Sequence, residues 1–143
     1  MTKYLHLIKL AVGPRSLKDL QDWQTRLACE KAAKGQKGEI IHITRSTPKR
    51  AEEVLAGGSI YWVIKGFIVG RNRILELRPM MYDDMPHCGI VYEPELIRVT
   101  PQPRRPFQGW RYLEGKDAPP DLEGDIRDMP DPMLRELAEL GLL

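Results

Sequence analysis

The run Gly57-Gly58-Ser59-Ile60-Tyr61-Trp62-Val63-Ile64-Lys65-Gly66 constrains this chain more than any other stretch. A segment rich in β-branched and aromatic residues lies between two glycine punctuators, the pattern of a strand entered and left by tight turns. A period of two places Ile60, Trp62 and Ile64 on one face and Ser59, Tyr61 and Val63 on the other. Lys65-Gly66 reads as a hairpin turn with glycine at positive φ, and Phe67 to Leu77 as the return strand. Ile68 and Val69 break the alternation beside Gly70, which predicts a bulge.

The flanking segments supply further strands and helices. Tyr4 to Ala11 is apolar on both faces, as a central strand is. Ser16 followed by Asp19 resembles a capping box that opens a helix to about Lys34, with Leu17, Leu20 and Leu27 on one face and Trp23 near it. Ile40 to Thr44 is a short strand. Thr47-Pro48 starts a brief helix that ends at Gly57. Pro79 to Pro86 reads as a loop, and Cys88 to Tyr92 with Leu96 to Thr100 as a hairpin around Glu93-Pro94-Glu95. Pro101, Pro103 and Pro106 argue for extended, polyproline-like backbone. Residues 114–130 look irregular, and Asp131-Pro132 begins a last helix stopped by Gly141. The expected class is α+β: a mostly antiparallel curled sheet or small β-barrel of about six strands, with about three helices.

At 143 residues the chain is read as a single domain: an α+β body over residues 1–113 and an acidic, proline-containing segment over 114–143. Cys29 and Cys88 form no spaced framework and are read as free thiols in a reducing cytoplasm. The first twelve residues lack a secretory pattern, and no run approaches the ~18 apolar residues of a membrane span. The net charge of +2 hides an asymmetry. Residues 98–113 hold four basic and no acidic side chains, whereas residues 114–143 hold nine acidic against three basic. A basic body attracts phosphate unless the acidic tail folds back and neutralises it; both readings stand at this point.

Basic and aromatic residues interleave in two places. Arg45, Lys49 and Arg50 surround the start of the brief helix, where free amides draw anions although the dipole disfavours cations. Arg104, Arg105, Gln108, Trp110 and Arg111 form a second patch in a proline-fixed loop. Arginine forks phosphate and tryptophan stacks on bases, which is what binding of RNA or a nucleotide requires. In the glycine-led strand, Ser59 and Tyr61 share a face, and Lys65 stands at the turn, where desolvation would make it a nucleophile or base. His6, His42, His87 and the cysteines show no metal-ligand spacing. Asp83-Asp84 and Asp128 with Asp131 are the carboxylate pairs open to a hard cation. No P-loop, dinucleotide fingerprint or nucleophile elbow occurs, so no cofactor is expected.

Taken together, Ile41-His42-Ile43-Thr44-Arg45, Pro48-Lys49-Arg50, the Gly57–Gly66 run and Arg105-Pro106-Phe107-Gln108-Gly109-Trp110-Arg111-Tyr112-Leu113 resemble a bacterial family, the domain-of-unknown-function family 1489. That resemblance spans nearly the whole chain and implies no activity. The order of short helix, glycine-led strand, turn and return strand is also similar to PUA-like, ASCH-type small barrels, which bind RNA and bases. The usual glycine-aspartate at the strand start is Gly58-Ser59 here. Some ASCH-type domains are amidohydrolases using lysine, threonine and glutamate, for which Lys65, Thr44 and Glu76 are the residues of matching type. Three functions are therefore expected: an RNA- or nucleotide-binding module, a small hydrolase acting on a modified nucleoside, or a protein-interaction module.

Overall fold

A computed structural model describes residues 4–33, 35, 40–123 and 129–142. Its elements are β1 (Leu5–Leu10), α1 (Leu17–Ala33), β2 (Ile40–Thr44), α2 (Ala51–Leu55), β3 (Ser59–Ile64), β4 (Phe67–Tyr82), β5 (Met85–Tyr92), β6 (Ile97–Pro103), β7 (Trp110–Glu114), a 3-10 turn (Gly115–Asp117) and α3 (Asp131–Glu139). The strands follow the order β2-β5-β4-β3-β1-β7, with β6 also paired to β4. Only β1 and β3 run parallel; the other pairs are antiparallel. The fold is α+β with an open sheet rather than a closed barrel.

β3 lies where the glycines predict, and every one of its residues is buried. Gly58 is held there by space. A Cβ would stand 2.2 Å from the Leu5 carbonyl oxygen and 2.6 Å from that of Val54, so β1, α2 and β3 meet at a point where only glycine fits. The β3–β4 turn takes positive φ at both Lys65 (52°) and Gly66 (83°), the geometry that matches strand twist in a two-residue hairpin. Opposite Trp62 and Val63 the register shifts between Gly70 and Ile68, which leaves Val69 as the bulged residue. Leu17, the first residue of α1, packs on Gly70.

Ser16 Oγ accepts the Asp19 amide (3.2 Å), as a cap should, while the Asp19 carboxylate accepts the Arg15 amide. Below the cap, α1 buries Leu17, Leu20 and Gln24, and Trp23 is exposed. Gln24 pairs with Asn72 of β4 through two amide hydrogen bonds of 3.1 and 2.9 Å. Asn72 Oδ1 also accepts from Trp62 Nε1 (2.9 Å), and its Nδ2 donates to the carbonyls of Glu93 and Glu95. A buried amide left unpaired costs about 1–3 kcal/mol; here all are engaged, and α1, β3, β4 and the β5–β6 link are tied to one side chain.

Four expectations need correction. α2 begins at Ala51, so Lys49 and Arg50 precede it instead of occupying its first turn. Residues 79–86 are not a loop: β4 runs on to Tyr82, and Asp83 and Asp84, both at positive φ, turn it into β5. Pro79 sits opposite Cys88 in the part of β4 that pairs with β5 alone, beyond its pairing with β3 and β6, where a proline disturbs the ladder least. β5 and β6 do not form a hairpin; each pairs with a different part of β4. Residues 110–114 are a strand on β1. Asp128 lies outside the described residues, and Asp131 is already engaged. Its carboxylate accepts the Leu17 amide (2.8 Å) and pairs with Arg98 (2.8 Å), which docks α3 on the start of α1. Gly141 (φ 73°) ends α3 through the paired bonds of a Schellman cap. Cys29 is exposed and Cys88 buried, both as free thiols. Among the described residues no helix is long and apolar enough to cross a membrane.

Gly58→Ala is expected to cost about 3 kcal/mol, since backbone atoms cannot yield as a side chain does. Gly66→Ala meets no atom and costs only the left-handed backbone term of about 1 kcal/mol. Urea midpoints of the two variants check the ranking.

Candidate functional site

The two basic stretches meet. β2 and β7 end the sheet path, and between these strands the gap is spanned by side chains. Trp110 Nε1 donates to the Ser46 carbonyl (3.0 Å), and the Arg50 amide donates to Tyr112 Oη (3.0 Å). Trp110 and Tyr112 lie edge to face at 5.0 Å, so both rings are fixed. Beside this clasp is a cleft of about 510 Å³ lined by Lys9, Arg45, Gln108, Trp110 and Arg111 together with Ile43, Thr44, Ser46 and Gly109. Three cations face it and no carboxylate does. Arg45 and Lys9 have no acidic partner among the described residues, and Arg111 donates only to the carbonyls of Gln108 and Trp110 while lying over the Phe107 ring. A second concavity of about 810 Å³ shares Ile43 and Arg45 with the cleft and continues past Tyr82 and His87 to Asp83.

The remaining nominated residues are placed differently. Arg50 is next to the clasp, over the Tyr112 ring, but its guanidinium forks Glu53 at 2.6 and 2.7 Å. That pair keeps Glu53 below the usual carboxylate range and resolves the conflict between cation and helix start. Lys49 is exposed beside it. Arg104 is joined by its amide to Gly66 and rests on Phe107; it stands with Lys65 and exposed Arg105 at the β3–β4 turn end. Lys65 is exposed, so the burial that would activate it is missing. Thr44 and Glu76 do not join it. Glu76 pairs with Arg78 (3.0 Å), and nine residues of β4 beyond Phe67, about 30 Å of strand, separate it from the turn. Ser59 and Tyr61 lie on the opposite side of β3 from Trp62, where Tyr61 lines a separate cavity and buried Ser59 accepts a hydrogen bond from Arg71. The acidic tail does fold back in part. Asp121 takes Arg71 and Asp131 takes Arg98, but neither reaches the cleft.

Lys9 escaped the sequence reading, and His42 entered it only as a histidine without metal-ligand spacing. Lys9 follows Leu5 and Leu7 on the core face of β1, opposite Trp62 on β3 and Trp110 on β7. A lone lysine in an apolar stripe was the available signal. Burial lowers its pKa. His42 stands edge-on to Trp62 at 5.8 Å, and burial followed by the Lys9 charge lowers its pKa to about 4. Across the sheet, His6 Nδ1 accepts the Ser59 amide (2.9 Å); burial and then Arg71 lower it likewise to about 4.

Both imidazoles are neutral in the fold and titrate near 6.5 once unfolded, so the unfolded chain holds more protons between about 4 and 6.5. Stability is therefore full above that window and falls as pH drops through it. His6→Asn keeps an acceptor for the Ser59 amide and does not titrate. Denaturant midpoints measured across the window are expected to fall less in this variant than in the parent protein.

No curated protein and no solved structure matches the chain, and the likeness to PUA-like barrels rests on element order alone. The match to a family is direct. Residues 7–143 fit the family described as Protein of unknown function (DUF1489), and the chain belongs to that family.

Proposed function

We propose that the chain binds RNA, as a single strand, in the cleft beside the Trp110–Tyr112 clasp. The observation that carries this reading is the lining: Lys9, Arg45 and Arg111 without a carboxylate, around a tryptophan whose ring is held by the Ser46 carbonyl. Unpaired cations take phosphates and release counterions, a fixed indole stacks a base, and exposed Gln108 offers an amide to a base edge. The adjoining concavity past Arg45 favours a strand over a lone nucleotide, because it prolongs the groove to a second aromatic, Tyr82. A cytoplasmic setting goes with this function. The hydrolase alternative draws less support, since Lys65 is exposed and Glu76 is paired with Arg78. A protein-docking role finds its own support in the β4–β5 hairpin tip, where Met81, Tyr82 and Met85 are 67%, 55% and 61% exposed.

Anisotropy of a labelled oligouridylate in a salt series tests the proposal. Three phosphate contacts on a single strand give a log–log slope of about −2, and Arg45→Ala or Arg111→Ala each flattens it by about 0.7. Trp110→Ala weakens binding by about 1–3 kcal/mol at any salt. A salt-independent signal overturns the reading, and a mononucleotide binding as tightly as the oligomer reduces it to nucleotide binding. Met81→Ser, which lies outside both concavities, is expected to leave oligomer binding intact.

A further inference from the structure

A third cavity, of about 570 Å³, opens on the other face of β3. We propose that this cavity, bounded by His6, Tyr61, Arg71 and Arg73, binds a small acceptor-rich oxyanion, a phosphate or carboxylate, independently of the cleft.

The groups that face the cavity have donors left to give. His6 spends Nδ1 on the Ser59 amide, so its neutral ring carries the proton on Nε2. Tyr61 stands edge-on to it at 5.0 Å, and burial pushes its phenol up to about 12, which keeps the O–H. Neither Nε2 nor the phenol oxygen has a partner among the described residues, and no side-chain nitrogen or oxygen there is both fully buried and unpartnered. Both atoms therefore open on the cavity.

Arg71 is a positioning residue. Its Nε and Nη2 fork Asp121 at 2.8 Å each, and its Nη1 donates to Ser59 Oγ at 2.8 Å. That fork consumes the one carboxylate lining the cavity and supplies the charge that helps hold His6 neutral. Arg73, two residues along β4, lines the cavity, is exposed and has no acidic partner among the described residues. The lining thus offers an imidazole N–H, a phenol O–H and a free guanidinium, with its acceptor already taken. A donor set of this kind is complementary to an oxyanion, and the volume falls in the range of small-ligand sites. The Tyr4 ring closes one wall against Gly57, where a Cβ would lie 2.6 Å from the ring.

The experiment is an NMR titration of the histidine-labelled full chain at neutral pH with inorganic phosphate, and separately with citrate. The expected result is a saturable shift of the His6 resonances with at least one probe, a His6 pKa that rises when the probe is bound, and no change at His42. Arg73→Gln is expected to weaken that binding about tenfold or more, the loss of one charge-assisted hydrogen bond, with its denaturation midpoint unaltered. Arg45→Ala is expected to bind the probe as the parent does, which separates this site from the cleft. No saturable His6 response to either probe overturns the proposal, as does an undiminished response in Arg73→Gln. The tighter probe assigns the anion as phosphate or carboxylate.

Discussion

Two side-chain hydrogen bonds hold this sheet where its strands do not pair. The path ends at β2 and β7, and Trp110 to Ser46 and the Arg50 amide to Tyr112 take the place of a ladder between them. Backbone pairing would have sealed the seam and covered Lys9. Bridging by two aromatic side chains leaves a gap and lines it with rings that cannot swing away. The cleft is thus a consequence of how the sheet stops short of closure. Behind Lys9, Asn72 orients the Trp62 indole, and Trp62 in turn meets His42 and Tyr92 edge-on.

Much of this was legible in the sequence wherever the cause was local. The Gly57–Gly66 run showed its strand, its faces and its turn, because glycine, β-branching and period two act over a few residues. The bulge beside Gly70 was visible for the same reason. The extension of β4 through Pro79 was not, since a proline signals a break unless one knows that the strand has a partner on one side only at that point. β7 was hidden behind three prolines, and its partner β1 lies about a hundred positions earlier, so no local pattern marks it. Nothing local marks Gln24 and Asn72 as buried, because the two amides meet only across 48 residues of chain.

The site was legible by residue type and only half legible in space. Arg45, Gln108, Trp110 and Arg111 do share a cleft, while Arg50, Arg104 and Lys65 were drawn in by charge alone and are occupied or placed elsewhere. Composition counts a guanidinium as a free charge, whereas the fold decides which arginines have already met a carboxylate. Glu53, Asp121 and Asp131 account for Arg50, Arg71 and Arg98. Lys9, Arg45 and Arg111 at the cleft, and Arg73 outside it, are among the described cations that no carboxylate has taken.

The pairing of β7 with β1 sets an order of events during synthesis. β1 and β3 can come together once some sixty residues have emerged, but the cleft has no second wall until Trp110 and Tyr112 follow. Closing so long a loop is entropically slow to achieve and comes after the local hairpins. Until then one edge of β1 is unpaired and available to other strands. A chain halted at β6 therefore carries the β3–β4 hairpin and the buried amide pair, yet neither the cleft nor a protected β1 edge. The second wall of the cleft and the protection of β1 from aggregation arrive together, with the same five residues.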